Sequence, residues 1–258
     1  MNNKVRRSEL YALLKKKKVI QVSEAAEELG VSNMTIRRDL IEMEKEELIT
    51  RAYGKAILRD STTATEDKFK EREFLNADVK ERMAHEALSL LDGASSIFLD
   101  GSSTCNALAR ILPQNAKLTV VTCNLNALFY LRDMSNINVY ALGGMLMPDR
   151  NNTDGEYTYQ MARKIYVDIA FISCGGYSEK GLVNGVLDGL QTCNIMLGHA
   201  DTCVVLADHS KYMHRGLFNF ANWNQINHFV TDKMPEDSML EMLRKNNITL
   251  HVADENRD

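Results

Sequence analysis

The chain has 258 residues, 31 Lys+Arg against 35 Asp+Glu for a formal net charge of −4, and 45% apolar residues, enough for a small domain joined to one of about 190 residues with its own core. No apolar run follows Met1 or approaches the ~20 residues of a membrane helix, which argues for a cytoplasmic protein without a membrane partner. Five cysteines (Cys105, Cys123, Cys174, Cys193, Cys203) form no C-x-x-C pair and the six histidines have no metal-ligand spacing, so neither a disulfide scaffold, a metal nor another cofactor is expected.

In chain order, Val5, Leu10, Leu13 and Leu14 mark a first helix that runs into Lys15, Lys16, Lys17 and Lys18. That run is either a solvated helix end or a nonspecific phosphate contact. Residues 23–29 predict a short second helix, with Ser23 placed to cap it and Glu24 and Glu27 near its positive end. Gly30 permits a tight turn and Ser32 offers a second capping hydroxyl. Residues 33–46 then carry Ile36, Leu40 and Met43 on one helical face. Two short helices joined by a glycine turn form a helix-turn-helix pattern. With Ile36 and Leu40 turned toward Ala25, Ala26 and Leu29, the outward side chains are Asn33, Thr35, Arg37 and Arg38, which suit base edges and phosphates in a major groove.

Residues 48–58, LITRAYGKAIL, give two short β-prone stretches around Tyr53-Gly54-Lys55, as in a hairpin wing that lays Arg51 and Lys55 against the DNA backbone. The expected DNA-reading set is therefore Ser32, Asn33, Thr35, Arg37, Arg38, Arg51 and Lys55. Charge agrees with this split: residues 1–58 hold 12 basic and 9 acidic side chains, net +3, while the other 200 hold 19 and 26, net −7.

The polar stretch RDSTTATEDKFK at 59–70 opens a linker placed at 59–74, between a winged helix-turn-helix at 1–58 and a larger domain at 75–258. From Ala77 onward strands and helices alternate. Strands are expected as SSIFLD to Asp100, KLTVVT to Thr122, INVYALGG, VDIAFISCGG, CVVLAD to Asp208, HFVTD and ITLHV; helices are expected near 79–91, 105–112, 126–133, 190–200 and 237–245. The fold class is α/β, a Rossmann-like, mostly parallel sheet covered on both faces.

Ligands of such sheets bind at the carboxyl ends of the strands. Small and polar residues follow each strand here: Asp100, Gly101, Ser102, Ser103 and Thr104; then Asn124; then Gly143 and Gly144; then Gly175 and Gly176; then Asp208 through Lys211. The stretch DGSST opening a helix suits a phosphate, because glycine lets the backbone approach while hydroxyls and free amides donate to the anion. Lys211 adds a positive charge. The candidate effector set is Asp100, Gly101, Ser102, Ser103, Thr104, Asn124, Gly144, Gly175 and Lys211. A glycine turn with serine caps is common by itself; the concurrence of Asn124 and Lys211 after other strands gives it weight. Tyr157 and Tyr159 read as packing residues.

With these residues in place, the chain resembles the DeoR family of transcriptional regulators over nearly its whole length. Residues 31–40, VSNMTIRRDL, follow the family's V-S-x-x-T-I-R-R-D-L helix; Asp100 to Thr104 resemble its D-x-G-[ST]-T loop, and residues 208–212 its D-[HS]-S-K-[FY] stretch. The resemblance implies a sensor domain with a fold similar to ribose-5-phosphate isomerase, binding a phosphorylated sugar through the 100–104 loop and Lys211. It also implies a repressor of a carbohydrate uptake or catabolism operon. Two departures stand out. Arg51-Ala52-Tyr53-Gly54-Lys55-Ala56 replaces the usual R-x-H-G-G-A, and Gly189 and Cys193 fall near where the family places a glutamate and a lysine.

The expected function is operator binding by a homodimer or homotetramer joined through the larger domain, with release when a phosphorylated sugar or related small anion binds and no catalytic residue. Two alternatives remain open at this stage. In one, the domain is a sugar-phosphate isomerase-like enzyme, with Asp100 and Asp208 as general bases and Lys211 as oxyanion stabiliser. In the other, the protein binds DNA but its pocket is degenerate, as Cys193 suggests.

Overall fold

Seven apolar runs bounded by polar loops become seven strands of one parallel sheet, as expected of strands buried on both faces. The strands are β4 (Ser96–Leu99), β5 (Leu118–Thr122), β6 (Ile137–Ala141), β9 (Val167–Ile172), β12 (Ala200–Leu206), β14 (His228–Thr231) and β15 (Thr249–Val252), in the spatial order β15-β14-β12-β9-β4-β5-β6. All six neighbouring pairs are parallel. This computed structural model describes residues 2–46, 48–52, 54–58, 69 and 72–253, and the chain divides into two compact units, Met1–Asp78 and Val79–Asp258.

In the larger unit, α4 (Ala77–Leu88), α5 (Ser103–Ile111) and α6 (Leu125–Leu131) bury Met83, Leu108 and Leu131 with Ile97, Val120, Phe171 and Val204 on one face of the sheet. The other face takes α7 (Glu156–Ala162), α8 (Leu190–Gly198) and α9 (Asp237–Lys245), through Ala162, Met196 and Met239. Adjacent residues feed opposite cores: Ile97 and Leu99 go one way and Phe98 the other, as a pleated strand requires. Helix α8 stops at Gly198, so β12 starts at Ala200, where helix was expected. Two small antiparallel additions were not anticipated: the hairpin β7 (Met145–Met147) and β8 (Asn152–Asp154), and the sheet of β10 (Gly176–Ser178), β11 (Gly181–Asn184) and β13 (Phe218–Ala221). Tyr159 is half-buried against the core that holds Ala162 and Met196, whereas Tyr157 is 77% exposed, contrary to expectation.

The smaller unit holds α1 (Asn3–Lys17), α2 (Val22–Glu28) and α3 (Asn33–Lys45). They close over Leu10, Tyr11, Leu14, Ala25, Ile36, Leu40 and Met43. Helix α2 starts one residue earlier than expected. Its opening is tied by Glu24, which accepts from the Gln21 amide at 3.3 Å, so Ser23 lies inside the helix rather than capping it. Gly30, at φ +63°, makes the tight turn. The wing strands β2 (Ile49–Ala52) and β3 (Lys55–Leu58) pair antiparallel, joined by β1 (Val19–Gln21), which the sequence did not reveal. Tyr53 and residues 59–68, 70 and 71 of the expected linker lie outside the described residues. Of the rest, Phe69 is buried, residues 72–74 are helical, and Phe74 meets Tyr11 edge-on at 5.4 Å.

Candidate DNA-reading helix and effector site

Helix α3 is capped by Ser32, whose Oγ accepts from the Thr35 amide at 3.2 Å and lies 2.9 Å from the Thr35 hydroxyl. Its inner face is fixed by Ile36, Leu40 and Met43 and also by Asp39, a buried carboxylate that receives Nε and Nη2 of Arg6 from α1. Asp39 raises the Arg6 pKa above its ordinary value, chiefly by hydrogen bonding and against the opposing effect of burial. With that face locked, Asn33, Arg37 and Arg38 stand exposed. Neither arginine has a hydrogen bond or ion pair among the described residues, so both guanidiniums are available to an external anion.

The wing differs. Lys55 is exposed, but Arg51 is engaged: its amide donates to Glu44 at 3.0 Å and its Nε donates to the same carboxylate at 2.7 Å. The lysine run is partly engaged as well, because Lys17 reaches Glu24 at 2.7 Å and also Glu28. Those bonds raise the Lys17 pKa.

At the carboxyl end of the parallel sheet, Asp100 follows the interior strand β4 and is only 3% exposed. One oxygen accepts from the Ser102 amide at 2.9 Å and the other from the Ser173 amide, beyond β9, at 2.8 Å. Ser102 caps α5 by accepting from the Cys105 amide at 3.0 Å. Asn124 follows β5, caps α6 through Asn126 and Ala127, and donates its amide to the Ser102 carbonyl at 3.3 Å. From beyond β12, the Lys211 ammonium donates to the Ser173 hydroxyl at 2.9 Å; that hydroxyl donates to the Leu206 carbonyl and lies 3.5 Å from Thr104 Oγ1. Asp100, Ser102, Thr104, Asn124 and Lys211 thus belong to one hydrogen-bonded set spanning four strands.

Asp208 is 2% exposed and sits 4.0 Å from the Lys211 ammonium. Burial alone would push its carboxyl up, yet Lys211, the Ser210 hydroxyl and amide, and Lys80 together hold it below the usual carboxylate range. Both oxygens of Asp100 therefore accept backbone hydrogen bonds, and Asp208 is kept anionic by cations. The set presents an amide-lined helix start and one ammonium.

The two other effector-set glycines are placed by packing. A Cβ on Gly144 would lie 2.1 Å from Thr158 Oγ1, and one on Gly175 would lie 2.6 Å from Asn184 Oδ1. Gly101 is under the same constraint from Asn152, whose Nδ2 would lie 2.2 Å from an added Cβ. Ser103 is buried at the first turn of α5. Sequence reasoning did not single out Ser173, Asn152, Asp154 or Arg150. Ser173 was within reach, being the first polar residue after VDIAFI; Asn152 arrives on a three-residue strand with no periodicity to mark it.

Cys193 borders this site without serving as a cation. Burial, then the nearby Asp100 charge, push its thiol well above the ordinary value, and burial raises Cys123 to about 12. Both stay neutral thiols.

Residues 75–233 match the family described as the DeoR C terminal sensor domain, and residues 6–62 the DeoR-like helix-turn-helix domain. The chain is 30% identical over 232 residues to the HTH-type transcriptional repressor GlcR of Bacillus subtilis (strain 168), covering 89% of each chain. It is 26% identical over 254 residues to the glycerol-3-phosphate regulon repressor of Escherichia coli (strain K12), covering 98% of this chain and 100% of that one. Among solved structures, ribose 5-phosphate isomerase A from Methanocaldococcus jannaschii is similar over 53% of this chain and 55% of its own, with a TM-score of 0.39 and 23% identity. Among the described residues, no helix is long and apolar enough to cross a membrane.

Proposed function

Since the chain belongs to the DeoR family of DNA-binding transcriptional regulators, we propose that it represses a carbohydrate uptake or catabolism operon in the cytoplasm and leaves its operator when a phosphorylated sugar or related small anion binds. The observation that carries the second half is the Asp100–Ser173–Lys211 set. It brings the capped start of α5 and an ammonium to one rim while both oxygens of the buried Asp100 carboxylate are taken by amides. A phosphate fits such a rim because it needs donors and positive charge, not a base. One relative is itself named for a glycerol-3-phosphate regulon.

The first half rests on α3. Exposed Arg37 and Arg38 meet phosphates or base edges, Asn33 and Thr35 lie at the helix start, and Lys55 flanks them on the wing. One such head gives few contacts, so the working form is a homodimer or homotetramer on repeated half-sites. The metabolite acts by favouring the arrangement of heads that does not fit the operator, which requires unequal affinity for the two arrangements.

No turnover is expected of the larger domain. As an isomerase it would need Asp100 or Asp208 to take a proton, whereas each oxygen of Asp100 already accepts a backbone amide and Asp208 is held below the usual carboxylate range by Lys211, Ser210 and Lys80.

The test is a mobility-shift titration on the intergenic DNA beside the chain's own gene, with sugar phosphates added to the preformed complex. Release by a sugar phosphate and not by its unphosphorylated parent is the expected result. A complex that no phosphorylated compound disturbs would sink the reading.

A further inference from the structure

Next to the Asp100 loop the chain carries polar groups that the proposed phosphate does not use. The turn Pro148–Arg150 leads through Asn151, at φ +53°, into β8. This places Asn152 against Gly101, with its Nδ2 also 4.0 Å from the Cβ position of Gly189. Asn152 is 4% exposed and its Oδ1 has no hydrogen-bond partner. A buried amide oxygen left unpaired carries a desolvation cost that a ligand hydroxyl would remove.

Beside it, Nη1 of Arg150 lies 3.7 Å from the Cβ position of Gly189. Arg150 is half-buried and has no ion pair among the described residues. The nearby carboxylates do not answer it. Asp154 accepts from the Gly189 amide at 2.8 Å and the Thr192 hydroxyl at 2.9 Å, and Asp100 accepts from two amides as described. Gly189 contributes no side chain, which leaves the space in front of the guanidinium open. A half-buried arginine without a counter-charge is costly alone and becomes favourable when a carboxylate meets it.

The two cations approach from different parts of the sheet. Lys211 follows β12, while Arg150 and Asn152 sit on the hairpin beyond β6, with β9, β4 and β5 between. We propose that the effector is a phosphorylated sugar acid: its phosphate binds the Ser102 loop near Lys211, its carboxylate meets Arg150, and the neighbouring hydroxyl donates to Asn152 Oδ1. This rests on the effector reading above and narrows its chemical class from phosphorylated sugars in general to those with an anionic group at each end.

Calorimetric titration of the full-length protein tests it with two matched series: aldonic acid phosphates of four, five and six carbons, and the alditol phosphates that differ from them only in a hydroxymethyl for the carboxylate. The expected result is at least one acid that binds about tenfold or more tighter than its alditol, the ratio that one charge-assisted contact supplies. R150Q should reduce that ratio to within about twofold, R150K should keep part of it, and K211Q should weaken both series together. The melting temperature of ligand-free R150Q should not fall below the parent's, since Arg150 has no described partner to lose and its unpaired charge is a cost to the free protein. Alditol phosphates binding as tightly as the acids, or a preference that survives R150Q, would overturn the inference while leaving the phosphate reading in place. Binding by neither series would overturn the phosphate reading and this one with it.

Discussion

Arg6 of α1 and Asp39 of α3 form a two-pronged ion pair, Nη2 to Oδ1 at 3.1 Å with Nε on the other oxygen, and their side chains are only 13% and 6% exposed. The aspartate of the R-R-D-L stretch therefore faces the interior and fixes the rotation of the helix that leaves Arg37 and Arg38 exposed. Asp39→Ala breaks this largely buried ion pair and should weaken the contact between α1 and α3. Hydrogen exchange on α1 and α3 peptides should show the loss, with weaker operator binding. Replacing both partners by apolar residues, Arg6→Met with Asp39→Leu, should recover most of the protection. A single mutant as protected as the parent would show that the pair does not hold the helix.

The two exposed arginines of α3 should behave differently from the wing arginine. Arg37→Ala or Arg38→Ala is expected to lower operator affinity without changing the melting temperature, and each lost phosphate contact should reduce the slope of log affinity against log salt by about one. Arg51 must leave Glu44 before it can contact a phosphate, so Arg51→Ala should cost less affinity than either. Glu44→Gln should tighten binding by releasing it. Equal losses for all three arginines would mean that the Glu44 contact is irrelevant on DNA.

Much of this arrangement was legible beforehand for a physical reason. Seven apolar runs flanked by polar loops leave a parallel sheet as the natural solution, and the strand-end rule then points to Asp100, Asn124 and Lys211. What stayed hidden depends on tertiary pairing. Strand β1 has three residues and no periodicity. Nothing in the sequence pairs Asp39 with Arg6, because only the folded α1 brings the two together. Asn152 and Arg150 lie on a short hairpin whose value comes from where it lands, beside Gly101 and Gly189. At Gly144 and Gly175 the space a side chain would need is occupied by Thr158 and Asn184, neighbours that only the folded chain brings there.

Removing the Lys211 charge should separate the two halves of the protein. In Lys211→Gln the amide can still donate to Ser173, so the Asp100 network persists while the positive charge at the rim is gone. Operator affinity without ligand should be unchanged within about twofold, and release by a phosphorylated ligand should require at least about tenfold more of it. Mobility-shift titrations of parent and variant, side by side, decide this. Identical responses would remove Lys211 from the effector site.

Large apolar side chains stand exposed on β6 and on the elements that follow it: Tyr140, Met145, Leu146 and Tyr157 are 56%, 65%, 55% and 77% exposed. Strand β6 pairs only with β5 among the described residues, so its outer edge is an open template. An open edge flanked by exposed apolar side chains suits a second copy of the chain. Tyr140→Asp with Leu146→Asp should shift the protein to monomer in analytical ultracentrifugation and weaken binding to a paired operator more than to a single half-site. An unchanged sedimentation coefficient would place the subunit contact elsewhere.

Acid should weaken the larger domain through identifiable carboxylates. Asp168 accepts from the amides and hydroxyls of Ser95 and Ser96 at 2.7–3.1 Å, tying the start of β4 to β9. The Ser95 amide and hydroxyl hold its pKa below the ordinary value. Asp208 is held low too, burial being outweighed by Lys211, Ser210 and Lys80 acting together. Both groups bind a proton less readily folded than unfolded. Their stabilisation is complete above the unfolded pKa of about 4 and is lost as pH falls through the lower folded values. Urea midpoints should therefore stay flat from pH 7 to about pH 5 and fall below pH 4. Asp168→Asn should be less stable than the parent at pH 7, because all four bonds converge on one oxygen and a neutral amide oxygen accepts them more weakly than a carboxylate, but its midpoint should fall less steeply in acid since one of the responsible protons is gone. An acid limb as steep as the parent's would show that Asp168 titrates normally and that its hydrogen bonds to Ser95 and Ser96 do not persist in solution.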